Sequence, residues 1–273
     1  MPAPDRPPAP RMLVLFALGL VIGAWGSLCG IGGGIFAVPV FHYLCGLELP
    51  AAVANSLVLV ALMTSGGTLA EISRADSALR WDVFGLLVAA SWLGTQLGYR
   101  VSKRLDVRTL KKLFVVLLVL VAAEILLSSN ARAQHSGESF SWSAGLVALV
   151  ALTGLAAGFV APMLGIGGGL IAVPALLFVL PGLGYLGARA ASTAMSACNG
   201  GPSVWLYRER GGLRAAVALP ASLGALGGAW IGVRVAHIPG ITFAAELVIA
   251  LTLLLIAGRF AWDLRSARYP GRA

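Results

Sequence analysis

Two copies of one glycine-rich motif carry the residues best suited to binding chemistry in this sequence. The motif reads GIGGGIFAVP from Gly30 and returns as GIGGGLIAVP from Gly165, 135 residues later. Because the glycines interrupt a helix, the helix that resumes after each motif begins with N–H groups that lack intrahelical acceptors and carry the positive end of the helix dipole. Such helix starts bind anions. The sequence therefore predicts two anion-binding helix starts, near Ile35 and Leu170.

Polar residues follow each motif and open an otherwise apolar helix. Asn55 and Ser56 follow the first motif, and Ser192 and Thr193 follow the second. Their hydroxyl and amide groups can donate hydrogen bonds to an oxoanion, and for any one of them a bond to a carbonyl of its own helix is an equal alternative. Asn199 is a further candidate, because an amide at membrane depth requires a polar partner.

The predicted substrate-binding residues combine the last three glycines and the proline of each motif with the polar residues that follow. They are Gly32, Gly33, Gly34, Pro39, Asn55, Ser56, Gly167, Gly168, Gly169, Pro174, Ser192, Thr193 and Asn199. The alternative is that glycines only allow close helix packing, and we predict that role for two GxxxG pairs, Gly94 with Gly98 and Gly228 with Gly232. Arg189 offers a counter-charge for an anion, but its position near a predicted helix end favours a side chain that extends to the membrane surface.

The composition places these motifs in a membrane protein. Of 273 residues, 58% are hydrophobic and 11% are charged, and the mean hydropathy is +0.88, so the chain lacks the polar surface of a soluble globule. Apolar runs such as 113–127 and 243–257 approach the roughly 20 residues that span a membrane as a helix. These runs lack the alternation of barrel strands. The predicted fold class is an all-α polytopic membrane protein.

The chain also contains an internal repeat. Gly19 matches Gly154 at the same 135-residue offset as the glycine motifs, so one unit is duplicated. The first transmembrane repeat covers 11–128, the second covers 142–263, and a polar extracytoplasmic linker at 129–141 joins them. Each repeat is predicted to hold a helix, a glycine-broken or re-entrant hairpin and three transmembrane helices. The predicted helices are 12–28, 35–46, 51–71, 82–101, 109–128, 143–162, 170–180, 187–206, 214–236 and 242–262.

The distribution of Lys and Arg predicts the orientation of the repeats. The stretch 100–112 carries six of these residues, which makes it cytoplasmic, whereas the linker carries only Arg132 and lies outside. If each glycine segment enters the membrane and returns, each half makes an odd number of crossings. The two repeats are then inverted, and both termini are cytoplasmic.

Other functional classes find little support. The net charge of +9 comes from basic residues between the spans, without the aromatic neighbours of a nucleic-acid site. The three cysteines match no metal or disulfide spacing, and the chain lacks HExxH, GxSxG and Walker motifs. We therefore predict no enzyme activity, metal, cofactor or nucleic-acid partner. The predicted partners are a small anion and the lipid bilayer, and the oligomeric state stays open.

The paired segments GIGGGIFAVPVF and GIGGGLIAVPALL, each followed by an Ala-polar-Ser/Thr triplet, resemble the two halves of the TauE/SafE family of sulfite and organosulfonate exporters. The resemblance covers nearly the whole chain. It implies a bacterial inner-membrane exporter of small sulfur-containing anions such as sulfite or sulfoacetate. The triplets at 54–56 and 191–193 depart from the common Ala-Thr-Ser pattern, so the exact substrate stays open. Transport of another small anion, or a scaffold or assembly role in the membrane, is the alternative.

The predicted topology can be tested by cysteine labelling in intact cells. A cysteine at Ser136, in the linker, is expected to react with a membrane-impermeant reagent added outside. A cysteine at Ser102, in the basic cytoplasmic stretch, is expected to be protected until the membrane is permeabilised. The opposite labelling pattern would exclude the inverted arrangement.

Overall fold

The computed structural model describes residues 12–128, 141–208, 212–238 and 241–265, so the linker predicted at 129–141 lies almost wholly outside the described residues. Within these ranges all regular structure is helical. The all-α prediction is therefore confirmed.

Ten α-helices are formed by the described residues. They are α1 (Met12–Cys29), α2 (Gly34–Pro39), α3 (Leu49–Ile72), α4 (Trp81–Ser102), α5 (Val107–Ser128), α6 (Ala144–Leu164), α7 (Gly169–Val179), α8 (Gly184–Arg208), α9 (Ala215–Ala236) and α10 (Ile241–Arg265). A π-helical turn, Val40–Leu44, continues α2, and a 3-10 turn, Pro181–Leu183, precedes α8. Counting the π turn with α2, each predicted helix is present with its ends within three residues of the prediction.

Four of the described helices are long and apolar enough to cross a membrane, namely α1, α3, α6 and α9. The two helices after the glycine motifs are shorter. Gly34–Leu44 and Gly169–Val179 each contain 11 residues, which gives a length of about 16 Å, roughly half of a 30 Å hydrocarbon core. The α7 helix also meets the segment that contains α8 at a bend of 108°. The lengths and the bend fit either a broken span or a re-entrant segment.

The outer surface of the bundle is apolar. Leu97 on α4, Leu223 on α9 and Leu255 on α10 are among many large hydrophobic side chains that are exposed, as expected for a surface that contacts lipid. Trp81 and Trp262 are exposed near helix ends, where tryptophan rings lie at the membrane interface.

The contacts between the two halves are reciprocal. The first helix of each half packs on the fourth α-helix of the other, because α1 lies against α9 and α6 lies against α4. The α3 and α8 helices contact each other, and α3 contacts α9 as α8 contacts α4. The α5 and α10 helices form the remaining large contact between halves. The halves are thus related approximately as a two-fold pair, with α3 and α8 between them.

Glycines allow the α1–α9 and α4–α6 pairs to approach at backbone distance. A Cβ at Gly228 would lie 2.0 Å from the carbonyl oxygen of Leu20, and one at Gly98 would lie 1.9 Å from that of Phe159. Because no heavy atom fits at such distances, only glycine permits this packing. The predicted packing role of the two GxxxG pairs is confirmed.

Adjacent glycines in α9 provide a matched test of this packing. Gly228→Ala is expected to destabilise the protein by about 1–3 kcal/mol, because its Cβ would push backbone against backbone. A Cβ at Gly227 would meet no atom within 4 Å, so Gly227→Ala is expected to be neutral or to stabilise the helix by up to about 1 kcal/mol. Thermal unfolding in detergent measures both. Equal effects of the two substitutions would contradict this account.

Candidate functional site

The two glycine motifs adopt the same backbone conformation. The first, third and fourth residues of the motif at 30–34 have φ values of 70°, 83° and 65°, and those at 165–169 have 72°, 76° and 84°. These values lie in the left-handed region that favours glycine. The fourth glycine of each motif, Gly33 or Gly168, is the N-cap of the short helix that follows. The repeated sequence therefore encodes a repeated turn into a helix.

The structure brings the two motifs into direct contact. A Cβ at Gly34 would lie 2.0 Å from the carbonyl oxygen of Gly165, and one at Gly169 would lie 2.4 Å from that of Gly30. A Cβ at Gly32 would lie 2.8 Å from the carbonyl oxygen of Ile166. Glycines of both motifs thus meet in one buried place, where only backbone atoms fit between them, whereas Gly33, Gly167 and Gly168 face other helices.

Serine hydroxyls bind carbonyl groups of the motifs. Ser56 Oγ lies 2.9 Å from the carbonyl oxygen of Gly165 and 2.8 Å from that of Val53 in its own helix. In the other half, Ser192 Oγ donates to the carbonyl of Gly30 at 3.0 Å. Each hydroxyl therefore joins the central helix of one half to the motif of the other. A hydroxyl keeps its lone pairs free as acceptors when it donates in this way.

Ser196 is a further member of this site that the sequence analysis missed. Its Oγ donates to the carbonyl of Gly167. Ser196 follows Ser192 by four residues, so both hydroxyls lie on one face of α8. That spacing is the signal that would have revealed it.

The first N–H groups of the short helices are buried beside the contact between motifs. In each helix the N-cap glycine carbonyl accepts from the third and fourth helical N–H groups, at 3.0 and 3.1 Å in α2 and at 3.1 Å for both in α7. The N–H groups of Ile35 and Leu170 have no backbone acceptor in the described ranges. Both residues are fully buried. The donors that we predicted at these helix starts are therefore present, and ligand binding by them stays a prediction.

Asn55 and the two prolines serve positions around this centre. The Asn55 amide donates to the carbonyl of Gly212 at 2.8 Å and its oxygen accepts from the N–H of Arg214 at 2.9 Å, so the side chain faces the segment before α9. Pro39 is the last α-helical residue before the π turn, and Pro174 lies within α7. A proline removes one helical donor, which fits the change to π-helical bonding after Pro39. Ligand binding by these three residues stays a prediction.

Thr193 and Asn199 have unfilled hydrogen-bonding capacity. Thr193 Oγ1 and Asn199 Oδ1 are buried without a partner among the described residues. The Asn199 amide group donates to Ser91 Oγ on α4 at 2.9 Å. The expectation that an amide at this depth has a polar partner is therefore confirmed.

Arg189 does not extend to the membrane surface, so that interpretation is wrong. Its side chain is 1% exposed and pairs with the Glu71 carboxylate, which supplies the counter-charge that a buried guanidinium requires. His237 Nε2 lies 3.6 Å from Glu71 Oε1, and the N–H of Ala78 donates to the same oxygen at 3.0 Å. A carboxylate near the end of an apolar helix was the signal in the sequence. Where the chain is described, no group of three or more His, Cys, Asp or Glu is placed to hold a metal ion.

The two N-cap glycines differ in what a side chain would meet. A Cβ at Gly168 would lie 2.7 Å from the backbone carbonyl oxygen of Ala157, whereas one at Gly33 would lie 2.6 Å from the flexible Met63 side chain. Both substitutions to alanine carry the left-handed backbone cost of about 1–2 kcal/mol. We expect Gly168→Ala to lower the Tm more than Gly33→Ala, because a thioether moves more readily than a helix backbone. A larger fall in Tm for Gly33→Ala than for Gly168→Ala would contradict this interpretation.

Comparison with known proteins relates this chain to membrane transporters. The family model described as sulfite exporter TauE/SafE matches residues 2–125 and 150–273. The probable membrane transporter protein YunE of Bacillus subtilis is 27% identical over 191 residues, which are 62% of this chain and 69% of that protein. A probable membrane transporter protein of Xylella fastidiosa is 31% identical over 170 residues, 61% of this chain and 63% of that protein.

The relative named probable membrane transporter protein MamO, of Magnetospirillum gryphiswaldense, is 29% identical over 115 residues, and the match spans 18% of its length. No solved structure matches the chain. The family match includes both glycine motifs and the polar residues that follow them. The chain therefore belongs to the TauE/SafE sulfite exporter family, as the paired motifs predicted.

Proposed function

We propose that this protein exports small sulfur-containing anions, sulfite or a short organosulfonate such as sulfoacetate, across the bacterial inner membrane. One observation carries the proposal: the two glycine motifs contact each other, and each starts a helix whose first N–H groups are buried beside that contact. An anion with several oxygen atoms can accept from the N–H groups of both helices at once. The substrate would bind between the motifs as they separate.

The charge distribution around the motifs supports an anion over a cation. Each helix start carries roughly half a positive charge from the helix dipole, and each start lies against the glycine motif of the other half. The sequence has no Asp or Glu in 30–47 or in 165–208. A cation site in a membrane is usually built from such carboxylates, and the nearby Glu71 carboxylate is already ion-paired with Arg189, which disfavours a sodium or metal ion.

The reciprocal packing of the halves supports an inverted repeat. Each half supplies one broken helix and one central helix to the same site, and the positive-inside pattern assigns opposite orientations to the halves. In transporters of this kind, the substrate site lies near the membrane midplane between the repeats, and movement of one repeat against the other opens it to each side in turn. Both termini are then cytoplasmic.

Efflux of radiolabelled sulfite tests the proposal directly. Proteoliposomes that contain the wild-type protein are expected to release sulfite faster than empty liposomes. Gly33→Val and Gly168→Val are expected to abolish this release, because a branched side chain cannot adopt φ > 0 without strain and would press on Met63 or on the Ala157 backbone beside the turn. Gly227→Val is the matched control, since a Cβ there meets no atom within 4 Å.

Two further results would decide between functions. Sulfite or a short sulfonate should raise the Tm of the purified protein by binding to the native state, and more than chloride does. Saturable stabilisation by sodium, potassium or a divalent metal, with no effect of any oxyanion, would exclude the anion site. Wild-type release equal to that of both valine variants would leave the glycine motifs as packing devices and favour a scaffold.

A further inference from the structure

A buried cluster of charged side chains lies where α3 ends, α8 begins and α9 ends. It consists of Glu71, Arg189 and His237, and we call it the Glu71 cluster. Arg189 is ion-paired with Glu71 through Nη2 and donates from Nη1 to the carbonyl oxygen of Ser27 at 3.3 Å. The Glu71 and Arg189 side chains are 3% and 1% exposed. Burying such a pair costs desolvation energy, so the cluster requires an explanation.

The other half of the protein has a neutral side chain at the position equivalent to Glu71. Ser56 and Ser192 are equivalent, because each donates to the first glycine of the opposite motif. At the same 136-residue offset, Glu71 corresponds to Tyr207. The Tyr207 hydroxyl donates to the carbonyl of Pro162 at 2.6 Å, as the guanidinium of the Glu71 cluster does to a carbonyl of α1. A neutral side chain therefore suffices for packing.

Donors without acceptors surround the ion pair. The hydroxyls of Ser27 and Thr193 and the Arg189 Nε are buried and have no partner in the described part of the chain. Both hydroxyl residues lie against Gly67, whose Cβ would be 3.1 Å from Ser27 Oγ and 3.2 Å from Thr193 Cγ2. Gly67 precedes Glu71, and Thr193 follows Arg189, by about one helical turn. A site for an oxyanion has more hydrogen-bond donors than acceptors, and this cluster has such an excess of donors.

His237 gives the cluster a place for a proton. Its Nδ1 lies 2.9 Å from the carbonyl oxygen of Val233, which can only accept, so Nδ1 carries a hydrogen. In the neutral ring Nε2 is then an acceptor that faces the acceptor Glu71 Oε1 at 3.6 Å. A proton on either atom removes the repulsion between them.

The other charged groups near the cluster are at its periphery. Arg74 and Asp76, in the loop after α3, pair with each other at 2.8 Å, and the hydrogen bond from Arg74 lowers the pKa of Asp76. Arg234 on α9 is exposed. The sequence of α1 contains no charged residue, and Arg208, the other charged residue of α8, lies at its far end. Glu71 and His237 are therefore the groups that can take up a proton inside the cluster.

We propose that Arg189, Ser27 and Thr193 form a binding site for the transported oxyanion. When no oxyanion is bound, the Glu71 carboxylate takes its place beside Arg189. This inference rests on the proposed function. Glu71 takes up one proton, loses its charge and leaves the guanidinium, and the oxyanion takes its place, so Arg189 keeps one anionic partner throughout. The site adjoins the first glycine motif, since a Cβ at Gly30 would lie 2.6 Å from Arg189 Cγ.

Calorimetric titration of the purified full-length protein with methanesulfonate tests the proton linkage. Methanesulfonate keeps its charge at mildly acidic and mildly alkaline pH, so any pH dependence belongs to the protein. Wild-type affinity is expected to rise about tenfold per unit fall in pH over the range in which the cluster takes up its proton. Glu71→Gln, which removes the carboxylate that takes up the proton, is expected to lose this tenfold rise per pH unit, whereas Asp76→Asn, the control, keeps it.

Hydroxyl variants test the site while they leave the ion pair intact. Ser27→Ala and Thr193→Val are each expected to weaken methanesulfonate binding about tenfold. Ser222→Ala is the matched control, because its hydroxyl is also buried without a partner among the described residues, but it lies on α9 about 22 Å from the His237 end. This control is expected to bind as the wild-type protein does.

The outcomes separate this inference from the proposed function. If wild-type protein releases sulfite but binds methanesulfonate independently of pH, or if Glu71→Gln keeps the wild-type pH dependence, the inference is wrong and the proposed function stands. Binding by the Ser27 and Thr193 variants that equals that of Ser222→Ala also excludes the inference. Failure of the wild-type protein to release any oxyanion excludes both.

Discussion

The lipid environment provides no hydrogen-bond partners, and this constraint explains the centre of the structure. A helix broken by glycines exposes backbone carbonyl and N–H groups that must find partners within the protein. The carbonyls of Gly30, Gly165 and Gly167 accept from serine hydroxyls of α3 and α8. The buried N–H groups of Ile35 and Leu170 have no backbone acceptor among the described residues. Each break therefore costs hydrogen bonds, and it also leaves the N–H donors that we propose bind the anion.

The glycine-lined helix pairs make this centre possible. Apolar side chains gain little from association in a solvent that is itself apolar, so helices in membranes associate through close packing. Contacts at backbone distance between α1 and α9, and between α6 and α4, attach the first helix of each half to the other half. The break that follows each first helix is thereby held against the break of its counterpart. Glycine therefore acts twice in this chain, in packing and in the turns.

The sequence was sufficient for elements whose signal is local. Apolar runs defined the long helices, the glycine motifs defined the breaks, and the GxxxG spacing defined packing surfaces at Gly98 and Gly228. Contacts between distant parts of the chain could not be predicted in this way. Glu71 and Arg189 are 118 residues apart, and no periodicity within α8 indicates that Arg189 meets a carboxylate. Asn55 likewise follows the first motif in sequence, yet its amide faces the segment before α9.

The duplication itself shows which features the fold requires. Where both halves have the same residue type in the same contact, as with Ser56 and Ser192, the shared architecture accounts for it. Where the halves differ, as with Glu71 and Tyr207, the fold is compatible with either residue. The charged residue costs more desolvation energy, so its presence has a separate cause. A buried ion pair contributes little net stability compared with neutral packing, and the tyrosine shows that neutral packing fits this fold. We therefore assign the charges at one end to anion binding, as proposed above, and this assignment gives the two ends of the protein different chemistry.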